Sequence, residues 1–328
     1  VSTPPRPSAL SYVLLFLPPF FWSTNFIVGK ALVGKVPPWT LNTGRFGVSA
    51  LILLPFILYK APWRTVPRRL WAPLCLMSLS GVFAFNSVLY IGLHYTTAIN
   101  ATLVNSAAPL TTACLAWMII GEKMTLRRSL GIFLSFVGVG WIVSEGSVEN
   151  LYRLSFNRGD LIVLGATALW GLYSVMAKRM MRDISPLLLT GLTTLIGVVF
   201  LIPASLVELR HYPADLFDSE VLLAFAYLGI FPSLVSFVIW NRSIFIFGPT
   251  RTTLVYNSLP LFAVILSVTI LHEAIHSYQI IGGAILIAGV LLGTLERPAG
   301  APLSSHKASA SPDPGFQESR PGRDNPST

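Results

Sequence analysis

FWSTNFIVGK at Phe21–Lys30 returns in altered form as LWGLYSVMAK at Leu169–Lys178, with a Trp eight residues before a Lys in both. PLTTACLAWMIIGE at Pro109–Glu122 returns likewise as PLFAVILSVTILHE at Pro260–Glu273, thirteen residues from Pro to Glu in each copy. The offsets are 148 and 151 residues, and Gly131 and Gly138 come back as Gly282 and Gly289, again 151 residues on. Landmarks held at nearly one offset in apolar sequence mark an internal duplication, and a period of this size is far too long for a solenoid. The chain reads as two fused copies of one ancestral unit.

Charged residues make up 11% of the 328, against roughly 25% in soluble domains, and the mean hydropathy is +0.66. Most of the surface therefore cannot face water, and the chain reads as an all-α integral membrane protein. A helix needs about 20 mainly apolar residues to cross the hydrocarbon. Ten stretches qualify: 10–33, 38–59, 71–93, 98–120, 126–144, 159–179, 186–207, 220–241, 248–271 and 278–296. That places five helices in each of two repeats, 10–148 and 158–297, with no room between them for a soluble catalytic domain. The first stretch is too long for a signal-peptide core and ends in Lys30, so it reads as a retained helix. Residues 298–328 hold six Pro and six Ser and are expected to form a disordered tail. Cys75 and Cys114 fall inside expected helices and read as packing residues.

Alternating the loops with the amino terminus inside leaves 17 Lys and Arg in the cytoplasm and 5 outside, with Arg45 in the membrane. By the positive-inside rule both termini are cytoplasmic. The net charge of +9 then reflects membrane orientation and calls for no nucleic acid partner. Because five is odd, the second half enters from the opposite side to the first, which makes the halves an inverted-topology repeat. In secondary transporters that arrangement puts the substrate near the midplane between the repeats, with alternating access by rocking.

Trp22-Ser-Thr-Asn-Phe26, the Pro38 to Arg45 spacing, the run to Pro109, Gly121-Glu122, Gly131 and Gly138 together resemble the drug/metabolite transporter superfamily. The second half matches through Gly159-Asp160, Trp170, Pro260, Glu273, Gly282 and Gly289, so the resemblance is to the ten-helix branch with two EamA-type domains. It covers about 10–297 and implies a bundle in the bacterial inner membrane that exports small metabolites, often amino acids or related compounds. Thr193 stands where Arg45 would recur, so a role for Arg45 is not symmetric.

Trp22 and Trp170 lie about twelve residues into their helices, near mid-membrane and away from the interfacial belt. They read as aromatic walls of a substrate site or as packing between the halves. Asn25 is one turn from Trp22 and corresponds to Tyr173; Asn105 corresponds to Tyr256, and Ser106 to Asn257. Polar side chains at this depth face the bundle interior or a wet cavity. Asn25, Asn105, Tyr173, Tyr256 and Asn257 are therefore substrate-binding candidates, joined by Asn86 and Tyr90 on one face of the third helix and more weakly by Trp240; interhelical hydrogen bonding is the alternative for each. Pro109 and Pro260 kink their helices, either to expose backbone or to pack. Gly131 with Ser135, and Gly289 with Gly293, permit close helix approach. Arg45 lies some 10 Å inside Pro38 by helix rise. It either snorkels to the outer interface or serves as a gate or an attractor of anions. Lys30 and Lys178 read as interfacial anchors. No Asp or Glu falls in the middle of an expected helix, which argues against a carboxylate that couples transport to an ion.

His272-Glu273-Ala274-Ile275-His276 spells the H-E-x-x-H zinc-protease signature. Its repeat counterpart, Gly121 to Thr125, keeps only the Glu, and both segments sit at a connection between helices rather than on one helical face. An intramembrane metalloenzyme is thus disfavoured. A receptor or structural membrane protein is the other alternative. No nucleophile elbow or phosphate-binding glycine loop appears, and no cofactor or metal is called for. The transported compound, the coupling ion, the direction and the oligomeric state are not encoded in these motifs.

Overall fold

The computed structural model describes residues 9–60, 62–121, 124–153, 156–180, 183–247, 255 and 258–294. The expected tail at 298–328 lies outside them. Among the described residues there is no strand, and the helices follow the apolar stretches closely. The long ones are α1 (Ala9–Ala31), α2 (Pro38–Lys60), α3 (71–93), α4 (98–120), α5 (Leu126–Val143), α6 (Arg158–Met180), α7 (Pro186–His211), α8 (219–247), α9 (Leu259–Ile270) and α10 (Ser277–Thr294), with a short helix, Val148–Tyr152, between α5 and α6. Starts and stops have local causes. The Thr97 hydroxyl accepts from the Asn100 N–H and Ser185 from that of Leu188, each satisfying an orphan donor of the first turn. Gly121 ends α4 in the left-handed region at φ 66°, which a residue without Cβ adopts at little cost.

Seven of the described helices are long and apolar enough to cross a membrane, while Ser129–Val143, Leu259–Ile270 and Ser277–Gly293 are shorter apolar helices. Large apolar side chains project outward on several of them, with Leu51 at 71%, Phe133 at 68% and Val199 at 66% exposure. A surface of that kind is stable in lipid and not in water. The chain is a multi-pass membrane protein.

Three helices are irregular in ways the apolar stretches do not signal. The single helix expected at 98–120 is broken: Ala98–Asn105 ends, Ser106 and Ala107 turn, and Ala108–Ile120 resumes with Pro109 in its first turn. Proline is favoured there because its missing N–H would have had no partner. In α3 a π-helical segment, Ser78–Phe85, separates Trp71–Met77 from Asn86–Leu93. In α8 another, Gly229–Val235, separates Ser219–Leu228 from Ser236–Phe247. Ser78 and Gly229 are 151 residues apart, the offset of the second landmark pair. Wider turns of this type are uncommon and cluster at functional sites. The hydroxyls of Ser233 and Ser236 donate to the carbonyls of Leu228 and Phe231, five residues back.

Packing repeats the duplication. Here α5 packs on α10 and α2 on α7; α1 packs on α9 and α8, as α6 packs on α4 and α3. The seam of α5 and α10 brings backbone against backbone. A Cβ on Gly131 would stand 2.7 Å from the Gly289 carbonyl oxygen, and one on Gly138 would stand 2.6 Å from that of Gly282. Since 131 matches 282 and 138 matches 289, each contact is the mirror of the other, and the two helices cross antiparallel. The Ser135 hydroxyl donates to the Leu286 carbonyl in the same seam.

Candidate functional site

Arg45 is two turns into α2 and is 2% exposed. Its Nε donates to Ser233 Oγ at 2.8 Å, and its Nη1 to Asn25 Oδ1 at 2.7 Å, Asn86 Oδ1 at 2.9 Å and Tyr90 Oη at 3.0 Å. The Tyr90 hydroxyl donates in turn to Asn25 Oδ1 at 2.6 Å. One guanidinium thus ties α1, α2, α3 and the π-helical segment of α8. Its carbon also stands 4.9 Å from the centre of the Phe46 ring. Snorkelling toward the outer interface is therefore not what Arg45 does. Lipid offers no acceptor at this depth, and four elements of the bundle supply oxygens instead.

Beside Arg45 is a cavity of about 40 Å³ open to water, lined among others by Trp22, Asn25, Asn86, Asn105, Trp170 and Phe237. A second, smaller space of about 10 Å³ open to water is lined by Tyr173, Thr190, Thr193, Thr194, Ser233 and their neighbours. Asn86, Trp170 and Phe237 line both, so they form the partition between them. Asn86 and Phe237 are 151 residues apart, and Trp170 is the counterpart of Trp22. The repeat thus supplies both sides of the partition.

The aromatic walls are fixed by contacts that the sequence does not reveal. Trp22 donates its indole N–H to the Pro232 carbonyl in the π-helical segment of α8 at 3.0 Å. Its ring packs 5.7 Å from Phe237 and 5.3 Å from Trp240. Trp170 stacks on Tyr173 at 5.2 Å and meets Phe85 at 5.1 Å.

Of the residues singled out in the sequence, Trp22, Asn25, Arg45, Asn86, Asn105 and Trp170 share the larger cavity. Tyr173 lines the second space, and Tyr90 stands behind the lining as a partner of Arg45 and Asn25. Tyr256 and Asn257 lie outside the described residues. Phe85, Phe237 and Ser233 were not singled out, because a buried phenylalanine or serine reads as packing; the 151-residue match of Phe237 to Asn86 was the available signal.

One end of the bundle is closed by polar ties between the halves. Glu208 at the end of α7 accepts from Thr40 N at 2.8 Å and Thr40 Oγ1 at 2.9 Å, capping α2. Within the first half, Lys30 donates to the carbonyls of Leu93 and Thr96 at the end of α3. Lys35 pairs with Glu220. Asp160, read from the sequence as a helix-end residue, is fully buried, and it accepts from Thr96 Oγ1 and from Asn100 Nδ2 at 3.0 Å. Gln279 extends this chain, donating to Asn100 Oδ1 at 2.6 Å.

The H-E-x-x-H segment belongs to the same end. It lies between α9 and α10 and is not helical, so it does not put two imidazoles on one helical face. His272 has φ 56°, His276 stacks on Tyr278 with centroids 5.5 Å apart, and Glu273 accepts from the backbone N–H groups of Ala98 and Ile99.

Comparison with known proteins agrees with this architecture. A solved crystal structure superposes with a TM-score of 0.60 at 19% identity, covering 88% of this chain and 98% of that one. This establishes likeness of fold. The uncharacterized transporter YyaM of Bacillus subtilis is 32% identical over 281 residues, 85% of this chain and 92% of that protein. An S-adenosylmethionine/S-adenosylhomocysteine transporter of Chlamydia trachomatis is 23% identical over 261 residues, 77% of this chain and 80% of that protein. The model of the EamA-like transporter family matches residues 9–144 and again 157–295. The chain therefore belongs to the EamA-like transporter family.

Proposed function

We propose that this membrane transporter is a secondary carrier that exports small metabolites, amino acids or related compounds, across the bacterial inner (plasma) membrane. In this reading two five-helix repeats of opposite orientation form the bundle, both ends of the chain are cytoplasmic, and substrate binds between the repeats near mid-membrane. The observation that carries it is the sharing of one cavity by Trp22 and Trp170, equivalent residues of the two halves, together with Asn25, Asn86 and Asn105. A mixed aromatic and amide lining suits a small, partly apolar metabolite better than a phosphorylated one, which calls for several Arg or Lys. Further support comes from the reciprocal, antiparallel seam of α5 and α10, as a twofold axis crossing those helices produces. The polar ties around Glu208, Glu273 and Asp160 then close the outer mouth, and Arg45 stands inside it.

The test is counterflow into proteoliposomes with a panel of amino acids and related metabolites, S-adenosylmethionine included because a relative carries that name. Trp22→Ala, Asn105→Ala and Tyr256→Ala should each weaken flux or shift its selectivity while leaving folded protein. A protein that moves no compound in the panel would count against transport. Three variants that lose thermal stability with unchanged apparent affinity would count against this pocket alone.

A further inference from the structure

We infer that Arg45 is the receptor for a carboxylate, and that the cavity takes organic acids with an apolar body rather than amines or neutral compounds. This rests on the transport reading and names the chemistry of its substrate. A charge removed from water requires a counter-charge or a full set of hydrogen bonds. The Arg45 guanidinium has neither complete. Its hydrogen-bond partners are the oxygens of Ser233, Asn25, Asn86 and Tyr90, all neutral groups. Among the described residues Nη2 makes no hydrogen bond. Among the described residues that line the two spaces there is no Asp or Glu. The ion pairs of the described residues, Lys35 with Glu220, Arg69 with Asp183 and Arg153 with Glu149, are all elsewhere and exposed.

The amides around Arg45 sharpen the preference. Asn25 Oδ1 is taken twice, by Arg45 and by Tyr90, and Asn86 Oδ1 is taken by Arg45. These bonds fix the orientation of each amide, since a guanidinium N–H has to meet a carbonyl. Asn25 then keeps its Nδ2 donors with no partner among the described residues, and it lines the cavity together with Arg45. Next to the guanidinium, then, the Asn25 oxygen is fully used while the Asn25 Nδ2 donors are left over beside a positive charge. A carboxylate, with two oxygens and about four lone-pair sites, complements it. The same lining carries the rings of Trp22, Phe85, Trp170 and Phe237 with Leu259, which suit an apolar body. A substrate ammonium, by contrast, finds no carboxylate in the lining.

The experiment uses full-length protein in proteoliposomes and three probes of one skeleton: 3-phenylpropanoate, L-phenylalanine and L-phenylalaninamide. Each competes with counterflow of a compound that the metabolite panel shows to be carried. Both carboxylates should compete, and the amide should be weaker by roughly tenfold to a hundredfold, the worth of one or two charge-assisted hydrogen bonds. Arg45→Gln should erase the difference between acid and amide, which a merely structural loss would not do. The wild-type comparison stands even if that variant fails to insert. An amide that competes as well as the acids, or an acid preference unchanged in Arg45→Gln, would overturn the assignment and leave transport intact. Absence of counterflow with every compound of the panel would overturn transport and the assignment together.

Discussion

Glu273 holds the start of α4 with both carboxylate oxygens, accepting from the N–H of Ala98 at 2.8 Å and of Ile99 at 3.1 Å. The acidic residue of the H-E-x-x-H match is thus a helix cap supplied by the second half of the chain to the first. A carboxylate at a helix N-terminus satisfies orphan donors and meets the positive end of the dipole. Glu273→Ala should lower unfolding stability by about 1–2 kcal/mol, the usual cost of losing a cap. His272→Asn with His276→Ala should keep flux near wild type, Asn being chosen because it tolerates the positive φ of His272. Thermal unfolding and counterflow on the same preparations check both; loss of flux in a normally folded double variant would mean that the imidazoles have a task.

Gly131 and Gly138 should accept no side chain. A Cβ there meets backbone of α10 at 2.6 Å, which no rotamer change relieves. Gly138→Ala should cost on the order of 1–3 kcal/mol, as overpacking does. Gly140, two residues on, has open space around its missing Cβ, and Gly140→Ala should be neutral or slightly stabilising by helix propensity. Equal melting temperatures for the two variants in detergent would refute the seam as drawn.

Asp160 accepts from Thr96 and Asn100, two donors from the first half. In Asp160→Asn an amide nitrogen replaces one oxygen, so the Thr96 hydroxyl has to turn from donor to acceptor and its own proton loses its buried partner. A buried mismatch of this kind costs about 1–3 kcal/mol, so the variant should melt earlier. Unchanged melting would show that water, not Asp160, satisfies Thr96 and Asn100.

Orientation is open to direct labelling. In a background without Cys75 and Cys114, single cysteines at Asn150 and Ala214 should react in intact cells with a reagent that cannot cross the membrane. A cysteine at Arg64 should react only after the cells are opened. Labelling at Arg64 from outside would invert or break the proposed topology.

The fold was legible where residue type and spacing carry it. The apolar stretches located the helices, and the repeated Trp, Pro and Gly paired the halves before any coordinate was known. Pro109 announced a disturbance in α4, though not that Ser106 and Ala107 would break it outright. The π-helical segments of α3 and α8 left no such mark, since a shift of hydrogen-bond register by one residue needs no special side chain. For the candidate site, position along each helix was legible and direction was not. Counting residues set Arg45 some 10 Å along α2 from Pro38, but where it turned depended on Asn25, Asn86, Tyr90 and Ser233, which lie far apart in the chain. Asp160 does stand at a helix end, as expected, but its burial was illegible for the same reason: its position in the chain says nothing of the loop carrying Thr96 that meets it.

The reciprocity of the glycine seam bears on how an asymmetric site came to sit in a duplicated chain. Gly131 against Gly289 and Gly138 against Gly282 is the self-complementary contact that a dimer of identical chains makes about a twofold axis. A single unit bearing these glycines already holds both sides of it. In such a dimer every pocket residue comes in two copies, so an Arg45 would bring a second guanidinium to the same axis. Covalent fusion keeps the seam and releases the pocket from that rule: Thr193 occupies the place of the second arginine, and Tyr173 that of the second Asn25. The unchanged glycines preserve the joint while the substituted counterparts give the chamber a head and a tail.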